Sequence, residues 1–342
     1  MSELIARTNS FEGQRAVRLM QLRDRAGQRC VAAAIGDDSP VLLSGIASVY
    51  ELACAALADD QSLVSAAERR LGDDVDIEAA LAEHRLLAPI DHPEPARCYL
   101  TGTGLTHLGS AEGRDKMHKA AAEDLTDSMR MFLMGVSGGK PAAGQAGVQP
   151  EWFYKGNGDS LVAPGADIPS PAFALDGGEE PEIAGIYLID DDGQPRRLGF
   201  ALANEFSDHV TERGNYLWLA HSKLRPAALG PELLTGDLPT DVRGVSRILR
   251  GDAIVWEKPF LTGEANMSHA IANLEHHHFK YGLFRRPGDI HVHFFGTATL
   301  SFSDGIETRE GDMFEVSAPP FTLPLRNRLT RSAPEPVSVR AL

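Results

Sequence analysis

At 342 residues, 43 % of them hydrophobic and 24 % charged, the chain has the composition of a globular protein able to bury one large or two modest cores. Its 33 basic and 48 acidic residues leave a net charge of −15, which repels a phosphate backbone and an anionic membrane surface, so neither nucleic acid nor membrane is an expected partner. Cys30, Cys54 and Cys98 are odd in number and lack C-x-x-C spacing, and no run approaches the twenty apolar residues of a membrane span. With no basic segment followed by an apolar core at the start, a cytoplasmic location is expected.

Residues 1–95 read as a small α+β lobe. Strand-like pieces at 30–35 and 41–43 precede a helix over 44–58, with Ser44 as its cap and Ile46, Val49, Leu52 and Ala56 on one face. The prolines at 89, 93 and 95 break any helix and mark a linker, which places a domain boundary near residue 95. A glycine-flanked stretch, Thr101 to Arg114, carries His107, Ser110 and Glu112. An amphipathic helix follows over 112–136, with Met117, Ala121, Leu125, Met129 and Phe132 on its apolar face, until Ser137-Gly138-Gly139 stops it. Residues 136–178 are an irregular Gly- and Pro-rich crossing. Strands are then expected at 183–189, 199–203, 254–261, 290–295 and 299–302, with one helix over 268–281. The second domain is thus a mixed-β unit over 96–330, and residues 331–342 read as a loosely ordered tail.

The chemistry concentrates at Glu180-Pro181-Glu182, at Asn204-Glu205 and at Ser222-Lys223 ahead of Leu229-Gly230-Pro231. Side chains two apart on an extended chain share a face, so Glu180 and Glu182 can aim at one point. Two converging carboxylates repel unless a cation lies between them, and a third from the next strand completes an all-oxygen face for Mg²⁺ or Mn²⁺. On spacing alone a solvated acidic turn is equally compatible. The Asp190-Asp191-Asp192-Gly193 run reads as such a surface hairpin turn. Apolar Leu217, Trp218 and Leu224 beside Lys223 suggest burial and a lowered pKa, fit for a base or an enolate stabiliser. His276-His277-His278 cannot share one helix face, and His291-x-His293 lacks a third ligand at zinc spacing. The Gly135 to Lys140 stretch lacks the first glycine and the Ser/Thr of a phosphate loop.

The order of these segments resembles the fumarylacetoacetate hydrolase superfamily, from about Cys98 to Leu329. Trp152-Phe153-Tyr154-Lys155, Leu161 to Gly165, the E-x-E pair, Asn204-Glu205, Lys223 before Leu229-Gly230-Pro231, Met267-Ser268, Pro287-Gly288-Asp289 and Phe295-Gly296-Thr297 carry the resemblance. It is nearest to the branch acting on 2-keto-3-deoxy sugar acids. The resemblance implies an α+β fold with a distorted β-sandwich or roll as catalytic domain, a homodimer, and a divalent ion on Glu180, Glu182 and Glu205. Glutamate replaces the usual aspartate at 205. It further implies Lys223 in the active site, His107 or Glu112 as acid/base, with His118 a weaker candidate, and Thr297, Arg114 and Ser110 as substrate contacts; Arg225 is a further cation for an anionic 2-keto acid. Dehydration through an enolate is the implied reaction. Carbon–carbon hydrolysis of a diketo acid and sugar-acid binding without turnover are the alternatives.

Overall fold

The computed structural model describes residues 16–109 and 127–342. The first strands, β1 (Val17–Arg23), β2 (Arg29–Ile35), β3 (Val41–Leu43) and β4 (Leu71–Asp74), form an antiparallel meander. Helices α1 (Val49–Ala58), α2 (Leu63–Glu68) and α3 (Ile77–Ala82) pack against it. Helix α1 starts later than its apolar spacing suggests. Gly45 has φ 72°, a left-handed conformation that interrupts a helix, and Ser48 rather than Ser44 accepts from the Glu51 N–H as the cap.

After residue 95 come β5 (Cys98–Gly102), helix α4 (Asp127–Gly138), β6 (Phe153–Asn157), β7 (Leu161–Val162) and β8 (Ile168–Ser170). The long hairpin of β9 (Pro181–Ile189) and β10 (Pro195–Asn204) follows, then α5 (His209–Gly214) and α6 (Leu219–Lys223). The chain continues through β11 (Ala227–Leu229), β12 (Leu233–Leu234), β13 (Val242–Arg250), β14 (Ala253–Thr262), α7 (Ile271–Phe279), β15 (Ile290–Phe294), β16 (Met313–Ser317) and β17 (Leu325–Arg331). One mixed sheet runs β4-β3-β2-β1-β12-β10-β9-β15-β5-β6, with β11 and β7 attached beside β10. A second has the order β14-β13-β16-β17-β8. The meander is therefore joined to the later strands through the pairing of β1 with β12.

All nine residues of β9 are buried, as expected of a strand covered on both faces. Ala184, Ile186 and Leu188 pack into a core shared with Val17, Leu52 and Val292. Ile183 joins a second core with Phe260, Phe314 and Leu329 of the smaller sheet. Glu180 and Glu182 sit at the start of this strand, where polar groups enter an otherwise apolar layer.

The Asp190–Gly193 turn closes the hairpin as its sequence predicts, with the Gly193 N–H donating to the Asp190 carbonyl. Residues 299–302 are not a strand. Both the Ser301 N–H and its hydroxyl donate to Glu179, and a 3₁₀ turn begins at Phe302. The helix expected over 268–281 is shorter, because Ser268 bonds to the Thr106 carbonyl instead of starting a turn. Residues 332–342 have no regular structure and are exposed. Among the described residues no helix is long and apolar enough to cross a membrane. The architecture is an α+β fold built on two mixed sheets.

Candidate active site

The hairpin register explains how distant carboxylates meet. Ala203 pairs with Glu182 and Asn204 with Pro181, so the next residue on each strand, Glu205 and Glu180, follow as neighbours. The Glu205 N–H donates to the Glu180 carbonyl at 3.0 Å, and the Asn204 side-chain oxygen accepts from the Glu180 N–H at 3.1 Å. One oxygen each from Glu180, Glu182 and Glu205 lies within 4.8 Å of the other two. All three residues are buried.

Glu182 accepts from the Gly296 N–H at 2.7 Å through Oε2, while its buried Oε1 has no hydrogen-bond partner among the described residues. An unsatisfied carboxylate oxygen in an apolar interior is costly, and a hard cation would satisfy it. Gly296 makes this approach possible. Its φ is 92°, and a Cβ there would lie 2.4 Å from Thr106 Oγ1. The donor set thus fits a divalent ion of the Mg²⁺ or Mn²⁺ class, consistent with the oxygen-only chemistry expected of the sequence.

Lys223, at the end of α6, donates to Glu180 Oε1 at 2.5 Å and lies 3.4 Å from Glu205 Oε2 and 3.3 Å from Ser207 Oγ. Its ammonium also stands 5.0 Å over the Phe153 ring. Burial pulls its pKa down, but Glu180, Glu205 and Glu212 outweigh burial and hold it well above the usual lysine value. The expected fall is corrected. Leu217, Trp218 and Leu224, taken from the sequence as its apolar cover, are 84 %, 47 % and 49 % exposed. Burial likewise pushes Glu205 up to about 7 against the pull of Lys223, and pushes Glu182 well above the carboxylate range with help from Glu205 and Glu180. Glu180 goes the other way, because Lys223 and His209 overcome its burial.

His107 is buried with both ring nitrogens engaged, one 3.0 Å from Thr106 Oγ1 and the other 2.9 Å from Thr262 Oγ1, and burial lowers its pKa to about 3. Burial keeps it neutral between its two hydroxyl partners. Thr297 follows Gly296, so it stands beside the glycine that holds Glu182; its hydroxyl accepts from the Thr299 N–H. Arg225 is committed elsewhere, to Asp208 at 2.9 Å and to the carbonyls of His221 and Leu224. Ser110, Glu112, Arg114 and His118 lie outside the described residues.

Three further side chains, Lys155, His209 and Glu151, stand close to the triad or its lysine. Lys155 is buried, donates to the carbonyls of Phe206 at 2.6 Å and Lys223 at 3.1 Å, and forms an ion pair with Glu205 Oε1 at 3.3 Å. His209 meets Glu180 Oε1 at 3.1 Å and Asp176 at 3.4 Å; burial opposes its protonation, but these two carboxylates raise its pKa to about 9. Glu151 accepts from the Tyr216 hydroxyl at 2.5 Å. Burial raises its pKa, partly offset by Tyr216 and Lys223. Glu151, Phe153 and Lys155 alternate along an extended segment leading into β6, and all three reach the Lys223 neighbourhood. A carboxylate and a lysine two residues either side of a phenylalanine in an aromatic run is the sequence signal that points to them.

These features define a class: an α+β protein of the fumarylacetoacetate hydrolase type, with a buried acidic triad and an adjoining lysine suited to a hard divalent ion. No family model matches the sequence, and no curated protein is similar to it. Among solved structures the chain is similar to the apo form of a 2-keto-3-deoxy-D-arabinonate dehydratase, with 19 % identity and a TM-score of 0.68 over 93 % of this chain and 100 % of that one. It is also similar to a 2-keto-3-deoxy-D-arabinonate dehydratase complexed with magnesium and 2,5-dioxopentanoate, at 18 % identity and a TM-score of 0.67 over 92 % and 99 %. A 5-carboxymethyl-2-hydroxymuconate delta-isomerase from Mycobacterium smegmatis matches at 17 % identity and a TM-score of 0.56 over 93 % and 100 %. At these identities the likeness establishes the fold.

Proposed function

We propose that the chain is a divalent-metal-dependent enzyme that acts on a 2-keto acid through an enolate and dehydrates a 2-keto-3-deoxy sugar acid. The observation that carries this reading is the buried triad of Glu180, Glu182 and Glu205 with the Lys223 ammonium beside it. A Mg²⁺ or Mn²⁺ ion held by the triad supplies Lewis acidity to a 2-keto carboxylate. Lys223, kept charged by its carboxylate neighbours, stabilises the negative charge that develops on the keto oxygen as the C3 proton leaves. Thr297, Ser110 and Arg114 are proposed substrate contacts. The similar dehydratase complexed with magnesium and 2,5-dioxopentanoate supports this choice of substrate class.

For proton transfer, the described residues favour Glu151 over His107. His107 has no free ring nitrogen, whereas burial raises the pKa of the Glu151 carboxyl, which strengthens it as a base. Glu151 would accept the C3 proton and return one to the departing C4 hydroxyl: the C3–H and C4–O bonds break, a C3–C4 double bond forms, and water leaves. Glu112 is the second candidate for this step, on the sequence resemblance alone. We also infer a homodimer, which light scattering tests.

Incubation of the purified protein with 2-keto-3-deoxy sugar acids and 2,4-diketo acids, with Mg²⁺ or with EDTA, decides the reaction. A Mg²⁺-dependent loss of about 18 mass units is expected. Two fragments would make it a carbon–carbon hydrolase, rearrangement without mass change an isomerase, and binding without turnover a sugar-acid-binding protein. Glu151→Gln should lower kcat by about a hundredfold or more while ligand binding persists. If Glu112→Gln does so and Glu151→Gln does not, the proton carrier is Glu112.

A further inference from the structure

Glu151 belongs to a second feature as well. Together with Trp152, Tyr216, Gln149, His277 and Tyr281 it lines a cavity of about 290 Å³, at the small end of the range for ligand sites. The cavity adjoins the lysine of the site: Leu219 on its wall is one helical turn from Lys223 on α6, and Glu151 and Trp152 lead into Phe153, whose ring lies 5.0 Å from the Lys223 ammonium. Its walls combine aromatic faces with polar groups, the composition that suits a hydroxylated carbon chain.

The walls are also held in place. The Trp152 indole N–H can only donate, and it donates to His278 Nδ1 at 3.2 Å. The other nitrogen of His278 must then carry the proton, and it donates to His291 Nδ1 at 2.9 Å. Both imidazoles are buried, and burial keeps them uncharged. The indole is thus fixed by a one-directional chain through two histidines. At the rim, the Lys280 ammonium donates to Gln149 Oε1 at 2.6 Å and to His277 Nδ1 at 3.1 Å, while His277 Nε2 donates to the Gly147 carbonyl. Among the described residues no group bonds the amide N–H groups of Gln149 or Oε2 of Glu151, whose Oε1 takes the Tyr216 hydroxyl.

We propose that this cavity is the subsite for the uncharged, hydroxylated tail of the substrate, the carbons beyond C4. The inference rests on the function proposed above, which places the 2-keto acid head at the triad. Trp152 and Tyr281 take the carbon faces of the tail; Glu151 accepts from a hydroxyl and Gln149 donates to one. A terminal carboxylate would face the Glu151 carboxyl, a poor partner for a second carboxylate, and the Lys280 ammonium at the rim is already taken by Gln149 and His277. A site built to bond hydroxyls also discriminates against a chain that lacks them, since its polar groups are then left unpaired.

The test uses calorimetric binding to the Mg²⁺-loaded protein of three six-carbon 2-keto acids that lack the C4 hydroxyl and so cannot be dehydrated. These are 5,6-dihydroxy-2-oxohexanoate, 2-oxohexanoate and 2-oxohexanedioate. The dihydroxy acid should bind at least about tenfold more tightly than either comparator. In Gln149→Ala and Tyr281→Ala, both at exposed positions, its advantage over 2-oxohexanoate should fall at least fivefold, about 1 kcal/mol. Equal binding of the three acids, tighter binding of the dioate, or an advantage untouched by both substitutions would overturn the subsite. Failure of all three acids to bind a protein that demonstrably holds Mg²⁺ would instead overturn the head-group reading, and the subsite with it.

Discussion

Glu182 enters the triad with one oxygen fixed by the Gly296 N–H and the other without a partner among the described residues, and it is flanked by two further carboxylates. Replacing it with glutamine takes away the oxygen an ion would bind and relieves the repulsion from Glu180 and Glu205. Glu182→Gln should therefore lose Mn²⁺ binding in a calorimetric titration while its metal-free unfolding midpoint stays level or rises, and undiminished Mn²⁺ affinity would end the metal assignment. Lys155 poses the opposite case. Lys155→Met keeps the volume but removes one of the two ammonium groups beside Glu205 and the donor to two buried carbonyls, so metal-free stability should drop by roughly 3–5 kcal/mol. Added Mg²⁺ should raise the melting temperature more in this variant than in the wild type, because an ion would then offset the positive charge that Glu205 has lost. An equal rise in both would mean that Lys155 does not act on the triad. The E-x-E pair was legible because two residues of an extended chain share a face. Lys155 stands in the aromatic run that carries the family resemblance, but its role is not legible there, because its partner Glu205 lies fifty residues away and nothing local announces it. The charge state of Lys223 is hidden for a related reason: its apolar neighbours are adjacent in sequence, whereas the carboxylates that decide its protonation arrive from another element.

Element by element, the triad depends on the β9–β10 hairpin keeping its register to the last pair. That register shifts between Arg197 and Gly199, where Leu198 is the extra residue. Side chains alternate along a strand, so without this bulge the residues beyond it would present the opposite face and Glu205 would turn away from Glu180. Gly199 is what lets the bulged strand lie against β12, since a Cβ there would come 2.1 Å from the Leu234 carbonyl oxygen. Gly199→Ala should cost at least about 2 kcal/mol in urea unfolding and weaken Mn²⁺ binding in parallel; a loss of stability with full metal affinity would detach the bulge from the site. The strand β9 is well marked in the sequence, being a continuous apolar run with aspartates and a glycine after it that close a turn; β13, β16 and β17, which carry charged residues along their length, are not, and residues 299–302 hold no strand. Helix starts were read less well, since Gly45 and Ser268 spend their conformations and hydroxyls on loop contacts that apolar spacing does not encode.

Across the whole molecule, the two cores lie on opposite faces of one central strand, and several histidines are buried outside them. Burial lowers the pKa of His107 and His278 to about 3 and of His269 to about 4, and takes His291 and His293 well below the usual value. The sign of the resulting linkage is definite. Below about pH 6.5 the unfolded chain binds a proton at each of these positions and the folded chain does not, so stability is complete above that pH and falls as pH drops toward the folded values. Each histidine contributes a slope of up to about 1.4 kcal/mol per pH unit, so the five together dominate the range between about pH 6 and 4. His209 works in the opposite sense but higher up, its pKa of about 9 giving stability that is complete below about pH 6.5 and lost as pH rises toward 9. Urea unfolding at pH 7.5, 6 and 5 should thus show a steep fall in stability on the acid side well before the ordinary carboxylates titrate. His293→Gln should make that fall shallower by about one proton's worth of slope. A protein equally stable at pH 7.5 and 5 would mean that these imidazoles are protonated in the folded chain, and the one-directional chain from Trp152 through His278 to His291 could not then exist as drawn.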